Sequence, residues 1–303
     1  MKILITGGTG FIGSALRRYL SSTPNDLVLL TRGAPGMELT GSLTVKYVRW
    51  NPLERGTWEK EVEGCDAVIN LIGKNVFEQR WNPQVKQQVL DSRVVPTRLL
   101  VEAIGRAERK PSVLISASAV GYYGHRDDGI ITESAQPGND FLADLAVQWE
   151  GEAFKAEQFG VRVAVPRIGL VLERSGGMIG KMLLPFRLFA GGPIGSGRQY
   201  LPWIHMEDVV RGILFPLEQE GLKGVYNLTA PEPVTMKEFA KQFGSVLHRP
   251  SWLPVPDIAL DVLYGEGAKV IVSGQRAVPE RLLAAGYRFS YPALRPALEH
   301  LLQ

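Results

Sequence analysis

The sequence predicts an α/β fold in which a doubly wound parallel sheet carries helices on both faces. Short apolar runs alternate with helical patterns through the first half of the 303 residues, the order typical of such a sheet. Several apolar runs are continuous rather than alternating, which indicates strands buried on both faces. A glycine-rich turn directly follows the first run, where a sheet of this kind binds nucleotides.

The individual elements follow from periodicity and capping signals. Apolar runs predict strands over residues 2–6, 27–31, 45–50, 67–73, 112–118 and 161–169, and a later run predicts a strand over 224–230. Helical spacing predicts helices over 12–20, roughly 83–109 and roughly 141–158. Thr235 and Glu238 form a capping-box pattern that opens a helix to about Leu247. A helix over 209–217 is expected to be capped by Asp208, with His205 packing nearby.

These elements predict two parts. Residues 1–170 form a nucleotide-binding domain, whose sheet is completed by about 224–247. Residues 171–303 supply substrate-side loops and a small C-terminal lobe, and the glycine-rich stretch 174–205 is expected to be loops lying over a site.

Composition excludes several classes of protein. The formal net charge of +3 is small and spread along the chain, so no nucleic-acid partner is expected. Cys65 is the one cysteine, which rules out a disulfide framework and fits a reducing compartment. The four histidines lie far apart, so no metal is expected.

No apolar run approaches the ~20 residues that span a bilayer, and no membrane partner is expected. We place the protein in the cytoplasm, or in an organelle matrix if a targeting segment has been lost.

The glycine turn predicts a nucleotide site. Gly7, Gly10 and Gly13 follow the first strand and open a helix, so that the backbone can approach a pyrophosphate. The free N–H groups of the helix N-terminus favour phosphate at this point. The alternative is a plain glycine-rich turn that holds nothing, and the strand before it and the helix after it argue against that alternative.

The second strand indicates which nucleotide is bound. A carboxylate about 20 positions beyond the turn would bond the ribose of NAD, but this chain has Thr31-Arg32 there and no carboxylate before Glu38. An arginine fork would grip a 2′-phosphate, so NADP(H) is the predicted cofactor. The alternative is that Arg32 is a solvated loop residue. The strand end at Leu71, Ile72 and Gly73 should also line the cofactor crevice.

Longer motifs resemble a known family. The glycine turn, Asn70-x-x-Gly73 and Ser116-Ala-Ser-Ala-Val-Gly-Tyr-Tyr-Gly124 resemble an extended short-chain dehydrogenase/reductase, which implies a Rossmann sheet with a smaller C-terminal substrate lobe. The runs RWNPQVKQQVLDSR, MLLPFRLFAGGPIGSGRQYLPWIH and GQRAVPERLLAAGYRF resemble one atypical branch, the epimerase-family or sugar-nucleotide-epimerase-like proteins. That branch carries a C-terminal domain of unknown function, and the resemblance covers essentially the whole chain.

The resemblance implies a set of cofactor contacts. They are Gly7, Thr9, Gly10, Phe11, Ile12 and Gly13 in the turn, Thr31 and Arg32, Leu71, Ile72 and Gly73, Gln88 and Arg93, Ser116, and Arg167. Without the resemblance, Arg93 could equally be an ion-paired surface residue.

The proton donor of the family is missing. Extended members use a tyrosine whose pKa is lowered by a lysine four positions on, and none of the nine tyrosines has a lysine there. Ser118 matches the family's serine, although it could be only a small residue at a strand end. Tyr122 or Tyr123 could be a relocated acid supported by Arg126, or both could pack with their hydroxyls at a rim. Phe141, at four-residue spacing with Leu145 and Trp149, indicates an apolar helix face in place of the Tyr-x-x-x-Lys surface.

Two functions remain open. The first is an NADP(H)-dependent oxidoreductase or epimerase acting on a small carbonyl or sugar-like compound. Lys181, Arg187, Arg198 and His205 would favour an anionic substrate, unless they form a solvated basic loop. The second is a non-catalytic NADP(H) binder that senses redox state or assembles with a partner. No oligomeric state is predicted.

Overall fold

The computed structural model describes residues 1–34, 36–40, 43–126, 128–255, 260 and 265–303. In this part of the chain the strands are, in order, β1 (Lys2–Thr6), β2 (Asp26–Thr31), β3 (Gly36–Thr40), β4 (Leu43–Arg49), β5 (Ala67–Asn70), β6 (Val113–Ser116), β7 (Ser118–Ala119), β8 (Ile130–Ile131), β9 (Arg162–Ile168), β10 (Leu170–Leu172), β11 (Tyr200–Leu201), β12 (Trp203–His205), β13 (Gly224–Leu228), β14 (Val234–Thr235) and β15 (Arg276–Ala277).

The α-helices of the same residues are α1 (Phe11–Leu20), α2 (Pro83–Arg106), α3 (Phe141–Phe154), α4 (Gly177–Arg187), α5 (Met206–Glu218), α6 (Met236–Leu247), α7 (Ala268–Val272), α8 (Glu280–Ala284) and α9 (Leu294–Leu302). Short 3-10 turns cover Thr57–Val62, Val120–Tyr123, Lys155–Phe159 and Gly265–Gly267. Parts of the predicted C-terminal lobe, residues 256–259 and 261–264, lie outside the described residues.

Nine strands form the central sheet in the order β13–β9–β6–β5–β1–β2–β4–β3, with β7 beside β9. All its pairings are parallel except that of β3 with β4. The predicted doubly wound α/β fold is therefore confirmed, and each predicted strand is present. The sequence analysis missed β3, an edge strand in which Met37 is 68% exposed, because a half-exposed edge lacks the continuous apolar run that marks a central strand.

Both faces of the sheet are buried, as the continuous apolar runs predict. Along β1, Ile3 and Ile5 pack into a cluster that includes Ile213 of α5. Leu4 points the other way and packs with Ile104 of α2. Because the central strands are parallel, their carboxyl ends meet at one edge of the sheet. This edge carries Thr31 as well as the polar ends of β1, β5 and β6.

Asn70 ties the carboxyl ends of three strands together. Its side-chain oxygen accepts from Thr6 Oγ1 at 2.7 Å, and its amide nitrogen donates to Thr97 Oγ1 at 2.9 Å and to Ser116 Oγ at 3.0 Å. The Trp149 indole of α3 donates to the same Thr97 hydroxyl at 3.0 Å. Since these groups are buried, the network fixes β1, β5, β6, α2 and α3 relative to one another.

The prediction that residues 174–205 are loops is wrong in part, because α4 occupies Gly177–Arg187. Its glycines indicated a loop, but Ile179, Met182 and Phe186 are buried in a third apolar cluster with Phe243 of α6. These three residues lie three or four positions apart, which is helical spacing, and tertiary packing outweighs the low helix propensity of glycine here.

The ends of two later helices test the capping predictions. The capping box of α6 is confirmed, since Thr235 Oγ1 accepts from the Glu238 N–H at 3.2 Å and the Glu238 carboxylate accepts from the Thr235 N–H at 2.9 Å. For α5 the prediction is wrong, because its cap is His205, whose Nδ1 accepts from the Glu207 N–H. Asp208 is buried in the first turn and instead accepts from the N–H groups of Ser290 and Tyr291.

No helix among the described residues is long and apolar enough to cross a membrane. The same residues contain no group of three or more His, Cys, Asp or Glu side chains arranged to hold a metal ion.

We expect Asn70→Ala to lower the free energy of unfolding by about 2–4 kcal/mol, because it leaves the buried hydroxyls of Thr6 and Ser116 without their partner. Urea unfolding would measure this, with Gln158→Ala, an exposed side chain, as the control. A loss for Asn70→Ala no larger than that of the control would contradict the structural role of the network.

His205 gives the fold a pH dependence. Its Nδ1 accepts from the Glu207 N–H, so its Nε2 carries the proton and faces Nδ1 of His300 at 3.1 Å. Burial, together with the charge of His300, lowers the pKa of His205 to about 4. The unfolded chain takes up this proton near its ordinary pKa of ~6.5, whereas the folded chain does so only near 4.

Stability should therefore fall as the pH drops from about 6.5 to about 4, by about 3 kcal/mol from this residue. Urea unfolding near pH 7 and near pH 4.5 would measure it in the parent chain and in His205→Gln. An equal pH dependence in the two proteins would show that His205 is not responsible.

Candidate functional site

The glycine turn has the geometry that a bound pyrophosphate requires. Gly7 has φ of +69°, and a Cβ there would lie 2.6 Å from the Leu71 carbonyl oxygen. A Cβ at Gly13 would lie 2.2 Å from the Gly7 carbonyl oxygen, so α1 packs tightly against the turn that precedes it. Gly10 precedes the first helical residue without a side-chain cap. The turn therefore leaves the first N–H groups of α1 without a side-chain cap.

Phe11 links this turn to the second half of the chain. Its side chain is 43% exposed, and a Cβ at Gly176 would lie 3.0 Å from its ring. Thr9 is exposed and Ile12 is half-buried. The start of α4 thus lies beside the N-terminus of α1, so residues from both predicted parts border the cofactor turn.

The structure brings together the loop after β5 and the two predicted residues of α2. The Leu71 N–H donates to the Thr6 carbonyl at 3.2 Å, and a Cβ at Gly73 would lie 2.9 Å from the Arg93 guanidinium. Arg93 donates to the Lys74 carbonyl at 2.8 Å. Lys74 in turn donates to the Gln88 side chain at 2.7 Å. Arg93 and Gln88 therefore brace the loop that carries Leu71, Ile72 and Gly73.

Arg93 is a cation held in an apolar setting. Its guanidinium lies 5.3 Å from the Trp149 ring centroid, and burial lowers its pKa to about 10. It stays charged at neutral pH, and a poorly hydrated guanidinium binds phosphate or carboxylate oxygens more strongly than a solvated one does.

A cavity of about 350 Å³ lies at the ends of β2 and β4 and is lined by Arg32, Arg49, Trp50, Asn51 and Pro52. Thr31 and Arg49 are register partners in the two strands, which places the two guanidinium-bearing residues at neighbouring strand ends. The Thr31 hydroxyl accepts from the Gly33 N–H at 3.1 Å. The sequence analysis missed Arg49, although its place at the end of a predicted strand was a usable signal.

Arg167 lies deep beneath the site, 3% exposed. Its Nε and Nη2 donate to the two oxygens of Glu150 at 2.9 and 2.8 Å, and its Nη1 donates to the Tyr123 hydroxyl at 3.0 Å. The Ser118 hydroxyl donates to Glu150 Oε1 at 2.6 Å. The hydroxyl of the candidate serine thus donates a hydrogen bond to the Glu150 carboxylate. Arg167 binds the same carboxylate through two parallel hydrogen bonds. A cofactor contact by Arg167 remains a prediction.

The two neighbouring tyrosines are in different environments. Tyr123 is fully buried, its hydroxyl donates to Asn227 Oδ1 at 2.6 Å, and burial raises its pKa to about 12. Tyr122 is half-buried, and the Arg167 guanidinium lies 3.4 Å from the centroid of its ring. Tyr122 is therefore the tyrosine of the pair that can reach solvent or a ligand.

Arg126 does not reach the Tyr122 hydroxyl in this structure. Its guanidinium donates to the backbone carbonyls of Tyr123 at 3.0 Å and Gln136 at 2.8 Å. These bonds hold the loop that follows the 3-10 turn Val120–Tyr123. Arg126 thus fixes the position of Tyr122 indirectly, through the backbone of the loop.

The helix that lacks Tyr-x-x-x-Lys borders a second cavity. Leu145 and Trp149 of α3 are buried, and Phe141 packs edge-to-face on Trp81 with ring centroids 5.3 Å apart. A cavity of about 510 Å³ opens beside Phe141, between the starts of α2 and α3 and the C-terminal part of the chain; it is lined by Trp81, Lys86, His125, Asn139, Asp140, Phe141, Leu142, Glu266, Lys269, Val270, Val272 and Ser273. The predicted apolar face of α3 is thus present, and its first residue, Phe141, lines this cavity.

The predicted basic residues of the second half do not all lie in a site. Lys181, Arg187 and Arg198 are exposed. His205 is buried and stacks on Tyr291, with ring centroids 3.9 Å apart. Ser116 is fully buried and accepts from Asn70. Its contact with a cofactor, like the other predicted contacts, remains a prediction.

Glu150 is a second residue of the candidate site that sequence reasoning missed. It lies at helical spacing with the buried alanines Ala143, Ala146 and Ala153, and a carboxylate on such an apolar stripe was a signal of a buried ion pair. Asn227, which accepts from Tyr123, gave no comparable signal, because the two residues lie 104 positions apart in the sequence.

We expect Glu150→Gln to lower the free energy of unfolding by about 3 kcal/mol, because it leaves the buried Arg167 cation without its counter-charge. Thermal or urea unfolding would measure the loss, and Asp144→Asn, an exposed acid of the same helix, is the matched control. Equal stability of the two variants would show that the ion pair contributes little.

Comparisons with known proteins agree with this geometry. Residues 3–229 match the model of the NAD dependent epimerase/dehydratase family, and residues 255–301 match a domain of unknown function, DUF1731. The chain is 41% identical to the epimerase family protein SDR39U1 homolog, chloroplastic, of Arabidopsis thaliana, covering 100% of this chain and 87% of that protein. It is also 41% identical to the epimerase family protein YfhF of Bacillus subtilis, covering 100% of this chain and 98% of YfhF.

A solved structure shows the same fold in a relative. The human epimerase family protein SDR39U1, isoform 2, was crystallised with NADPH; it superimposes with a TM-score of 0.87 at 34% identity and covers 99% of each chain. The resemblance inferred from the sequence motifs is confirmed, including its C-terminal domain of unknown function. The chain belongs to the NAD dependent epimerase/dehydratase family.

Proposed function

We propose that this protein binds NADP(H) and catalyses hydride transfer on a small carbonyl or sugar-like compound, as an oxidoreductase or epimerase. One observation carries the proposal: the uncovered glycine turn and the cavity between Arg32 and Arg49 lie along the same sheet edge. A dinucleotide bound across the carboxyl ends of the strands would place its pyrophosphate at the turn and its adenosine at that cavity.

NADP(H) fits this edge better than NAD(H). Two arginines at neighbouring strand ends provide charge-assisted donors for a 2′-phosphate. The human relative crystallised with NADPH supports the same choice. Arg93 and the loop it braces would contact the nicotinamide half, because they follow the strand next to the glycine turn.

The bound NADP(H) would supply the hydride acceptor or donor at nicotinamide C4. The protein must then hold or move a proton at the substrate oxygen. Tyr122 is the best-placed group, because it is half-buried and lies against the Arg167 cation, which stabilises a developing phenolate. Ser118 would act as a hydrogen-bond acceptor, since its own O–H already donates to Glu150.

The cavity beside Phe141 is the proposed substrate pocket. Its volume of about 510 Å³ suits a small molecule. Phe141, Leu142 and Trp81 give it apolar walls, while Lys86 and His125 supply polar groups. An anionic substrate is part of the proposal, with Lys269 as the cation offered to it, because the lining also holds the carboxylates of Asp140 and Glu266 and Lys86 is paired with Glu266.

A non-catalytic NADP(H) binder is the second candidate. The missing Tyr-x-x-x-Lys pair and the engagement of Ser118 with Glu150 favour it. The two functions differ in turnover rather than in binding, so assays of a carbonyl panel with NADPH separate them. Binding without turnover across the panel would favour the second candidate.

We also propose a cytoplasmic or organelle-matrix location. The free and buried thiol of Cys65 needs no oxidising compartment. Fractionation of cells that produce the protein at its natural level would test this, and recovery from an extracytoplasmic fraction would contradict it.

We expect Arg49→Gln and Arg32→Gln each to weaken NADPH binding by about tenfold or more, because each removes a charge-assisted contact worth ~1.5–3 kcal/mol. Titration of protein fluorescence would measure the dissociation constants of NADPH and NADH. Binding of NADH should change little, and Arg18→Gln, an exposed residue of α1, should change neither. Tighter binding of NADH than of NADPH by the parent chain would contradict the cofactor assignment.

We expect Tyr122→Phe to lower kcat by about 10²-fold or more, because it removes the proton donor without removing the ring. The dissociation constant of NADPH should stay within about twofold of the parent value. Steady-state kinetics on any carbonyl that the panel identifies would measure the first effect, with the exposed Tyr19→Phe as control. Full activity of Tyr122→Phe would remove Tyr122 from the mechanism.

A further inference from the structure

An exposed apolar patch lies at the end of α4 farther from Phe11. Its members are Leu184, Leu188, Phe189, Trp252 and Leu253, here called the Phe189 patch. Their exposed fractions are 65, 67, 55, 68 and 42%, respectively. Side chains this large and this exposed are normal when scattered singly, but a group of them marks an interaction surface.

Hydrogen bonds hold the two segments of the patch together. The Leu253 N–H donates to the Gly191 carbonyl at 3.1 Å, and the Val255 N–H donates to the Pro193 carbonyl at 2.9 Å. The Arg249 guanidinium lies 4.7 Å from the centroid of the Phe189 ring. The segment that carries Phe189 and the segment that carries Trp252 are thus paired with each other.

Phe189 is held in a conformation that disfavours it. Its φ is +62°, in the left-handed region that side chains with a Cβ rarely adopt. An exposed ring at such a position adds nothing to the core, so burial of the ring does not offset the cost of the strained backbone. A strained residue that does not stabilise the fold points to a role outside it.

The two sequence segments that carry the patch are basic. From residue 174 to residue 206 the sequence has Arg174, Lys181, Arg187 and Arg198 and no Asp or Glu. From 239 to 255 it has Lys241 and Arg249 and again no acidic residue. Two copies of this surface would repel each other, whereas an anionic surface would attract it.

We propose that the Phe189 patch docks the protein on an anionic phospholipid surface. The rings of Phe189 and Trp252 would enter the headgroup region, where aromatic side chains are most favourable. Arg187 and Arg249 would contact lipid phosphates, and each cation near an anionic membrane adds to the affinity. The expectation of no membrane partner came from the absence of a spanning run, and a peripheral contact requires none.

Co-sedimentation of the full chain with vesicles tests the docking. We expect binding to vesicles of phosphatidylglycerol and phosphatidylcholine, and binding at least about tenfold weaker to phosphatidylcholine alone, because the cations supply much of the affinity. Raising the salt concentration should weaken the binding to the anionic vesicles. Equal binding to both kinds of vesicle, or binding to neither, would overturn the proposal, as would capture of an acidic protein by a chain that binds no vesicle.

Phe189→Gly separates docking from folding. Glycine adopts the left-handed conformation without strain, so we expect a Tm close to that of the parent chain and vesicle binding reduced about tenfold or more. Met37→Ser changes an equally exposed apolar residue on β3 and should leave binding unchanged. Unaltered vesicle binding by Phe189→Gly would overturn the assignment of the patch.

Trp252 provides a local signal. Its emission should shift to the blue on addition of anionic vesicles and be quenched by brominated lipid chains, because its ring would leave water. The shift should disappear in Trp252→Phe, which identifies the reporting residue among the six tryptophans. Emission that stays constant while the protein sediments with vesicles would show that another surface docks.

Discussion

Glu150 and Arg167 form an ion pair almost removed from water, and the geometry of the candidate active site depends on it. Their side chains are 6% and 4% exposed, so either charge alone would be costly to bury. The pair joins α3 to β9, and it also fixes Ser118 and Tyr123 through hydrogen bonds. The helix that lost its Tyr-x-x-x-Lys surface therefore still organises the site, through a carboxylate on its inner face.

This arrangement changes what each polar residue can do. In a site with a tyrosine–lysine pair, the lysine cation stabilises the phenolate. Here the nearest cation is Arg167, which lies under the ring of Tyr122 rather than at its hydroxyl, and which cannot exchange protons. The cofactor edge keeps its general features, while in the proposed reaction the proton would come from Tyr122, from a substrate group or from water.

Much of the fold could be predicted from the sequence, and less of the site. Continuous apolar runs identified the central strands because both faces of each strand are buried, as Leu4 and Ile5 show. Glycine spacing identified the turn because Gly7 and Gly13 have no room for a Cβ. The helix α4 shows helical spacing and Glu150 lies on an apolar stripe, but the distant residues that they contact, Phe243 and Arg167, could not be found in this way. Local patterns do not encode which distant side chain balances a buried charge.

We propose that the cofactor edge of the site is complete and that Tyr122 replaces the missing proton donor. A crystal structure of the chain with NADPH tests it most directly. We expect the nicotinamide ring to lie beside the Phe141 cavity, and the Tyr122 hydroxyl to come within hydrogen-bond reach (~3 Å) of an oxygen placed above C4. A complex in which the Tyr122 hydroxyl points away from the nicotinamide, or in which the adenosine does not reach Arg32 and Arg49, would contradict it.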